Sequence, residues 1–318
     1  MSRGSFPRIP RSPGGSRTPL LLAVAAVVPA GFLGWLLWDA SGGPADDGKH
    51  PAAAAASSAP PSAHRVSPSP QPRTSAPGQP SPSAPEAEGT PSADGPLKGK
   101  VVVVDPGHNI HNSEHTAEID RSVDIGTGRK ECDTTGTSTD AGYAEATFSL
   151  DVSHRLRRIL QAQGATVRLT HDGDRPFGPC VDERAEIGNK AHADAAVSVH
   201  ADGAAVGDRG FHVILPAAVK GGRADTGPIA GPSKELGARI AGNFVRTTGS
   251  APSNYIGGGT GLDTRSDLGG LNLSTIPKVF IECGNMRDPQ DAALLTDPTW
   301  REKAAQGIAN GIADFLRR

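Results

Sequence analysis

The sequence predicts an α/β domain that follows an apolar segment and a linker rich in proline, alanine and serine. From about residue 97 onward, short apolar runs typical of buried strands alternate with patterns of helical period, and this alternation favours an α/β architecture. Proline is concentrated before residue 97, whereas most charged residues lie after it. The folded part, about 220 residues, is long enough to bury a core as one domain.

The strands and helices of this domain can be placed in order. Strands are predicted at residues 100–105, 165–170, 195–200, 210–215 and 278–283, the fourth of them at a sheet edge. Helices are predicted at residues 145–163, 181–191 and 233–248, with Ser233 as the cap of the third, and a last helix opens at Asp297 or Thr299. Loops rich in glycine or proline are expected at residues 216–232 and in the stretch that ends at Gly270.

The N-terminus has the features of an export signal. Residues 1–19 contain four arginines, and the uncharged residues 20–38 would form a helix of about 28 Å, close to the thickness of a bilayer core. The arginines predict that residues 1–19 are cytoplasmic. A transmembrane signal anchor is favoured because the run is longer than a cleaved signal, although cleavage after Ala40 or Gly42 stays open. We expect a single-pass membrane protein with its domain outside the cell, or a secreted protein.

The remaining organisation follows from composition. Residues 39–96 lack the apolar side chains that would offset the entropy of ordering, so we expect a disordered spacer. Residues 97–318 are left as the catalytic domain. The formal net charge of -2 and the aromatic fraction of 4% give no reason to expect a nucleic-acid partner.

Four polar side chains lie at positions that a plain core would not use. His108, His200 and Glu282 each follow or end an apolar strand, so we expect them at one edge of the sheet. Glu145 opens the helix that follows a long polar loop and can reach the same edge. Two imidazoles and a carboxylate suit a catalytic zinc ion, and a further carboxylate can serve as general base to a zinc-activated water. Taken singly, each of the four could equally be a structural residue.

At these residues the chain resembles the N-acetylmuramoyl-L-alanine amidase family of zinc hydrolases, the amidase-3 type. The resemblance covers residues 100–318 and rests on six segments in the family's order: VVVVDPGHN, GYAEATFSLDVSHRL, VDERAEIGN, SVHADG, GFHV and PKVFIECGNM. It implies that His108, Glu145 and His200 bind one zinc ion and that Glu282 is the catalytic glutamate. It also implies a single domain with a twisted, mostly parallel sheet flanked by helices.

The resemblance further implies hydrolysis of the amide between N-acetylmuramic acid and L-alanine in peptidoglycan. Some relatives carry a helical insert that plugs the zinc, but the glycines and prolines of residues 216–232 argue against a helix there, so we expect an open site. Departures from the family's pattern at Asn109 and Ile110, at His171 and at Cys283 bear on substrate preference. We expect a monomer.

Two other functions stay open. A zinc peptidase or carboxypeptidase would use the same metal chemistry on another amide of the cell wall, and would shorten the stem peptide instead of releasing it. A catalytically silent wall-binding module would need no metal and no Glu282. Should Glu145 not bind the metal, Glu114 or Glu118 could supply the carboxylate. His111 and His115, in the long loop that follows His108, could line the cleft or replace a ligand.

Several further residues have expected roles. Cys132 and Cys180 lie in loops next to the site and are predicted to form a disulfide, with Cys283 left as a free thiol, although a fully reduced chain is the alternative. Arg184 is expected to pair with a carboxylate in the sheet. Arg265 and Asn109 are candidates for substrate binding, Arg265 through its guanidinium fork, although a structural role for Arg265 is equally open.

Overall fold

The computed structural model describes residues 94–317, which contain a six-stranded sheet with the strand order β4-β1-β5-β10-β6-β9. Its strands are β1 (Val101–Pro106), β4 (Thr166–Leu169), β5 (Ala195–Asp202), β6 (His212–Pro216), β9 (Leu262–Arg265) and β10 (Lys278–Asn285). All neighbouring pairs are parallel except β10 with β6. The described part of the chain is therefore a single α/β domain with a mostly parallel sheet, as predicted.

Seven α-helices, two short 3-10 helices (Asn112–Glu114 and Gly257–Gly259) and two small hairpins are the other elements of the described residues. The helices are α1 (Thr116–Ile119), α2 (Glu145–Ala162), α3 (Val181–Lys190), α4 (Gly227–Thr248), α5 (Gly269–Asn272), α6 (Pro289–Thr296) and α7 (Pro298–Leu316). The hairpins pair β2 (Ser122–Asp124) with β3 (Arg129–Glu131), and β7 (Lys220–Gly221) with β8 (Ala224–Asp225). Helices α2 and α4 pack on the strands of the sheet, and α7 packs against both of these helices.

The two faces of the sheet have different chemistry. Successive side chains of a strand point to opposite faces, and those that join the helices α2, α4 and α7 in the main core are apolar, such as Val104, Val197 and Ile281. The alternate positions of the same strands hold Asp105, His200 and Glu282, among others. One face thus carries the main core, and the other presents polar groups, of which His200 and Glu282 were predicted from the sequence.

Strand β6 is not at the sheet edge that the sequence predicted for residues 210–215. It lies between β10 and β9, because β9 pairs with it in parallel. The prediction was wrong because the four residues of β9, LDTR, have no apolar alternation and were assigned to a glycine-rich loop.

Helix α4 begins at Gly227, six residues before the predicted cap at Ser233, and contains Pro232. Pro228 lies in the first turn, where a missing backbone N–H costs little. Ile229 packs in the core and supports the extension. The hydroxyl of Ser233 caps no helix; it accepts a hydrogen bond from the backbone N–H of Lys278, 3.1 Å away, at the start of β10.

The predicted tail, membrane segment and most of the linker, residues 1–93, lie outside the described residues. Within residues 94–317, none of the helices combines the length and apolar character that a membrane span requires.

Candidate metal centre

Three elements bring His108, Glu145 and His200 together. His108 follows β1, Glu145 is the first residue of α2, and His200 lies on β5. One ligand atom from each of the three lies within 4.8 Å of the other two. Oε1 of Glu145 is 3.1 Å from Nε2 of His108 and 2.9 Å from Nδ1 of His200. These residues form the one cluster of potential metal ligands found among residues 94–317.

Glycines give the ligands the space they occupy. A Cβ atom on Gly107 would lie 2.4 Å from the ring of His200. A Cβ atom on Gly136, whose φ is +74°, would lie 2.8 Å from both Oε2 of Glu145 and Cδ2 of His108. His108 itself has a φ of 59°, a left-handed conformation that is uncommon for residues other than glycine and is often found at functional sites.

The imidazole of His108 is oriented by its other nitrogen. Nδ1 lies 3.0 Å from the carbonyl oxygen of Thr134, which can only accept a hydrogen bond. Nδ1 therefore carries a proton and donates it, so in the neutral ring the lone pair lies on Nε2, on the side of Glu145. A hydrogen-bond acceptor on the ring nitrogen that faces away from the ion is usual for a metal-binding histidine.

The carboxylate of Glu145 is held by backbone donors. The N–H of Thr137 donates to Oε2 at 3.0 Å, and the N–H of Ala201 donates to Oε1 at 3.2 Å. Burial alone would raise the pKa of Glu145, but the adjacent imidazoles of His108 and His200 keep it well below its usual value. Burial likewise opposes a charge on His108, whose pKa is nevertheless raised well above its usual value by Glu145 and Asp133. The site therefore favours a positive charge beside an ionised Glu145.

Glu282 lies next to this cluster without a partner of its own. It is the direct neighbour of His200 in the pairing of β10 with β5, so the two side chains share a face of the sheet. Among the described residues, the buried Oε2 of Glu282 has no hydrogen-bond partner. Burial raises the pKa of Glu282 well above its usual value, and the negative charges of Glu145 and Asp202 raise it further. A buried carboxylate of this kind is expensive to keep, which is typical of a functional residue.

A cluster of four charges lies beneath the ligands. The guanidinium of Arg184 donates at 2.8 Å to Oδ1 of Asp105 and at 2.8 Å to Oδ2 of Asp133. Nζ of Lys278 lies 3.2 Å from Oδ2 of Asp105. All four side chains are buried, and two acids and two bases leave no net charge. The pairing predicted for Arg184 is present, with two carboxylates instead of one.

Asn109 and Arg265, the two residues expected to contact substrate, each have protein partners in the structure. Asn109 is 2% exposed, and its amide donates to the carbonyl of Gly178 at 2.8 Å while accepting from the N–H of His111 at 2.9 Å. These bonds hold the adjoining loops together, and a contact between Asn109 and the substrate stays a prediction. Arg265 uses Nε and one terminal nitrogen on Asp267, at 2.9 and 2.7 Å, so most of its fork is already engaged.

The other alternative ligands stay outside the cluster. Nδ1 of His115 contacts Glu118 at 3.3 Å, and neither His111 nor Glu114 belongs to the group. Residues 227–232 form the first turns of α4, contrary to the expectation that residues 216–232 contain no helix. In the described part of the chain, no hydrogen bond or ion pair joins residues 216–232 to His108, Glu145 or His200.

The three cysteines form one disulfide and one free thiol. Cys132 and Cys180 form a disulfide, and Cys283 is a buried free thiol. The bridge joins the end of the β2–β3 hairpin to the residue that precedes α3, and therefore encloses the loop that carries Asp133 and Thr134.

A cavity of about 230 Å³ opens beside the ligands. Its wall includes His108, His200, Lys130, Val181, Leu268 and Phe280. The ring of Phe280 is stacked on His200, with the ring centroids 5.2 Å apart. The site therefore has an apolar surface next to the polar cluster, which is typical of a ligand-binding cleft.

Sequence reasoning missed the residues that support the ligands. Asp105 and Ser198 hold polar positions inside otherwise apolar strands, VVVVD and AAVSVH. That interruption is the signal that could have found them, because a buried polar group needs a partner.

Comparison with known proteins agrees with the site. Residues 102–314 match the family model described as N-acetylmuramoyl-L-alanine amidase. The chain is 42% identical over 225 residues to N-acetylmuramoyl-L-alanine amidase Rv3717 of Mycobacterium tuberculosis, covering 69% of this chain and 88% of that protein.

Two crystal structures have the same fold. The N-acetylmuramyl-L-alanine amidase Ami1 of Mycobacterium smegmatis is 41% identical, with a TM-score of 0.63 over 69% of this chain and 98% of that one. The apo form of Ami1 from Mycobacterium abscessus is 40% identical, with a TM-score of 0.63 over 69% of this chain and 100% of that one. The chain belongs to the N-acetylmuramoyl-L-alanine amidase family of the amidase-3 type.

Proposed function

We propose that this protein hydrolyses the amide bond between N-acetylmuramic acid and L-alanine in peptidoglycan, with one zinc ion as cofactor. The observation that carries the proposal is the convergence of His108, Glu145 and His200 beside the unpartnered carboxylate of Glu282. Two histidines and a glutamate are a known ligand set for catalytic zinc, and the donor atoms lie close enough to share one ion. Membership of the amidase family supports the choice of substrate.

The residues divide the chemistry between them. When bound, a zinc ion at such a site polarises an amide carbonyl and makes a water molecule acidic near neutral pH. Glu282 is the general base: its raised pKa makes the carboxylate a good proton acceptor, and its free Oε2 has no competing bond. It takes the proton of the attacking water and returns it to the nitrogen of L-alanine as that group leaves.

The N-terminal residues complete the proposal. Peptidoglycan lies outside the membrane, and residues 20–38 have the length and polarity of an export segment. We propose that they anchor the chain in the cell membrane, that residues 39–96 act as the spacer, and that residues 97–318 act on the wall. The support is the sequence alone. Detection of the intact chain in the membrane fraction would agree with an anchor, and a secreted chain starting near residue 41 or 43 would show cleavage instead.

Product analysis on purified muropeptides tests the activity. The proposal predicts release of an intact stem peptide with a free L-alanine amino group, loss of activity with a chelator, and recovery when zinc is added back. A shortened stem that stays on the glycan would identify a peptidase, and turnover that is indifferent to chelator would contradict the metal requirement.

A further inference from the structure

The hydroxyl of Ser198 lies between the side chains of Asp105 and His200. Its Oγ is 2.9 Å from Oδ2 of Asp105 and 3.1 Å from Nε2 of His200. Ser198 is 1% exposed, so water does not replace either contact. Asp105 and Ser198 are paired directly across β1 and β5, and His200 lies two residues further along β5. All three side chains therefore point to the same face of the sheet.

Asp105 has no capacity to donate in this arrangement. Its Oδ1 accepts from the hydroxyl of Thr170 at 2.6 Å and from Arg184 at 2.8 Å, and its Oδ2 lies 3.2 Å from Nζ of Lys278. Surrounded by four donors, two of them cationic, this carboxylate is ionised and accepts only.

The direction of the remaining hydrogen bonds follows from counting protons. Ser198 has one hydroxyl proton, which it donates to the carboxylate of Asp105, so towards His200 its oxygen can only accept. Nε2 of His200 must then carry the ring proton. The lone pair of the neutral ring lies on Nδ1, the atom that is 2.9 Å from Oε1 of Glu145.

The second histidine has the opposite arrangement. His108 donates from Nδ1 to the carbonyl of Thr134 and turns Nε2 towards Glu145. The hydrogen bonds behind the two histidines meet at Arg184. Its guanidinium donates to Asp105, which lies behind His200, and also to Asp133 and to the carbonyl oxygen of His108.

We propose that Ser198 is a positioning residue that relays the carboxylate of Asp105 to His200, so that His200 binds zinc through Nδ1 while His108 binds through Nε2. The inference rests on the proposed function, because it needs a zinc ion at this site. Ser198 acts through His200: it selects the ring nitrogen that faces the ion.

Nitrogen NMR of histidine tests the assignment directly. The full-length protein is labelled with ¹⁵N at histidine, loaded with zinc, and the signals of His108 and His200 are assigned with single-site variants. The expected spectrum shows metal bound to Nδ1 of His200 and Nε2 of His108. Zinc bound through Nε2 of His200 would overturn this inference alone. A chain that binds no zinc at these residues would overturn the proposed function and the inference together.

A variant series separates positioning from general packing. Ser198→Ala removes the acceptor, and a loss of about 10–100-fold in zinc affinity is expected, measured by competition with a chelator. A matched control is Ser153→Ala, because Ser153 is also fully buried and its hydroxyl has no hydrogen-bond partner among the described residues. With cobalt in place of zinc, Ser198→Ala should also shift the visible absorption bands, and Ser153→Ala should not. Equal affinities and spectra for the two variants would overturn the proposal.

Discussion

Oε1 of Glu145 lies 2.9 Å from Nδ1 of His200 and so joins the first turn of α2 to the end of β5. The same oxygen lies 3.1 Å from Nε2 of His108. A helix start, a strand end and the loop after β1 thus converge on one carboxylate oxygen, although the three residues are far apart in the sequence. The amidase chemistry depends on this convergence, and on Glu282 beside it.

The two glutamates of the site should respond differently to the same substitution. Glu282→Gln removes the proton acceptor but none of the three ligands, so zinc content should be kept while kcat falls by about 10²–10⁴-fold. Glu145→Gln removes a ligand and should lose zinc. Metal analysis and muropeptide turnover on the same preparations make the comparison. Near-normal turnover by Glu282→Gln would show that another group is the general base.

A methyl group at Gly136 should disturb the ligands without touching their chemistry. In Gly136→Ala the added Cβ meets Glu145 and His108 at 2.8 Å, and we expect weaker zinc binding and lower turnover. The matched control is Gly142→Ala, which has a similar φ of +85° but no atom within 4 Å of the added carbon. Both variants carry the backbone strain of about 1–2 kcal/mol, so only the first should lose metal affinity. Equal zinc affinities for the two variants would contradict the close fit.

Reduction of the disulfide should destabilise the domain. The bridge closes a loop with a sequence separation of 48 between Cys132 and Cys180, for which the chain-entropy model gives about 4 kcal/mol. Cys132→Ser should lower the melting temperature, whereas Cys283→Ser, which removes no bridge, should have a smaller effect. Mass spectrometry after alkylation without reductant should label neither Cys132 nor Cys180, and labelling of both would show that the bridge is absent.

Acid should weaken the fold through Asp133. Burial opposes the charge of this residue, but Arg184 and His108 hold its pKa well below the ordinary value of 3.8. A carboxyl whose pKa is lower in the folded state stabilises the fold above the unfolded pKa, and that stability is lost as the pH falls towards the folded pKa. The free energy of unfolding should therefore decrease as the pH falls below about 4, and protonation of Asp133 accounts for part of that loss.

Asp133→Asn tests that contribution. The variant should be less stable than the wild type at pH 7, and its free energy of unfolding should fall less steeply between about pH 4 and pH 2. The exposed Asp120 supplies the control, since Asp120→Asn should leave the slope unchanged. A slope for Asp133→Asn equal to that of the wild type would show that the carboxylate is not responsible.

Much of the fold was predictable because its signals are local. Apolar runs such as VVVV and KVFIE identify central strands. The apolar residues Trp300, Ala304 and Ile308, at helical spacing, identify α7 as a helix. Strand β9 could not be predicted in this way, because its pairing with β6 depends on a neighbour distant in the sequence. The early start of α4 was hidden by Pro228 and Pro232, whose cost depends on their position in the helix.

Some residues of the candidate site could be predicted from the sequence, and others could not. His108, Glu145, His200 and Glu282 could be selected because each interrupts or ends a regular element. The contact of Ser198 with Asp105 could not be predicted, because the register that places Ser198 opposite Asp105 is a property of the sheet and not of either strand. The same limit applies to Asn109, because the sequence does not show that its side-chain amide bonds to the carbonyl oxygen of Gly178.

Zinc content measured together with amidase activity is the most direct test of the metal centre. The wild type should hold one zinc ion per chain, and His108→Ala and His200→Ala should each lose both the ion and the activity on muropeptides. A preparation that is fully active but contains no divalent metal, or variants that keep their zinc without these imidazoles, would contradict the account.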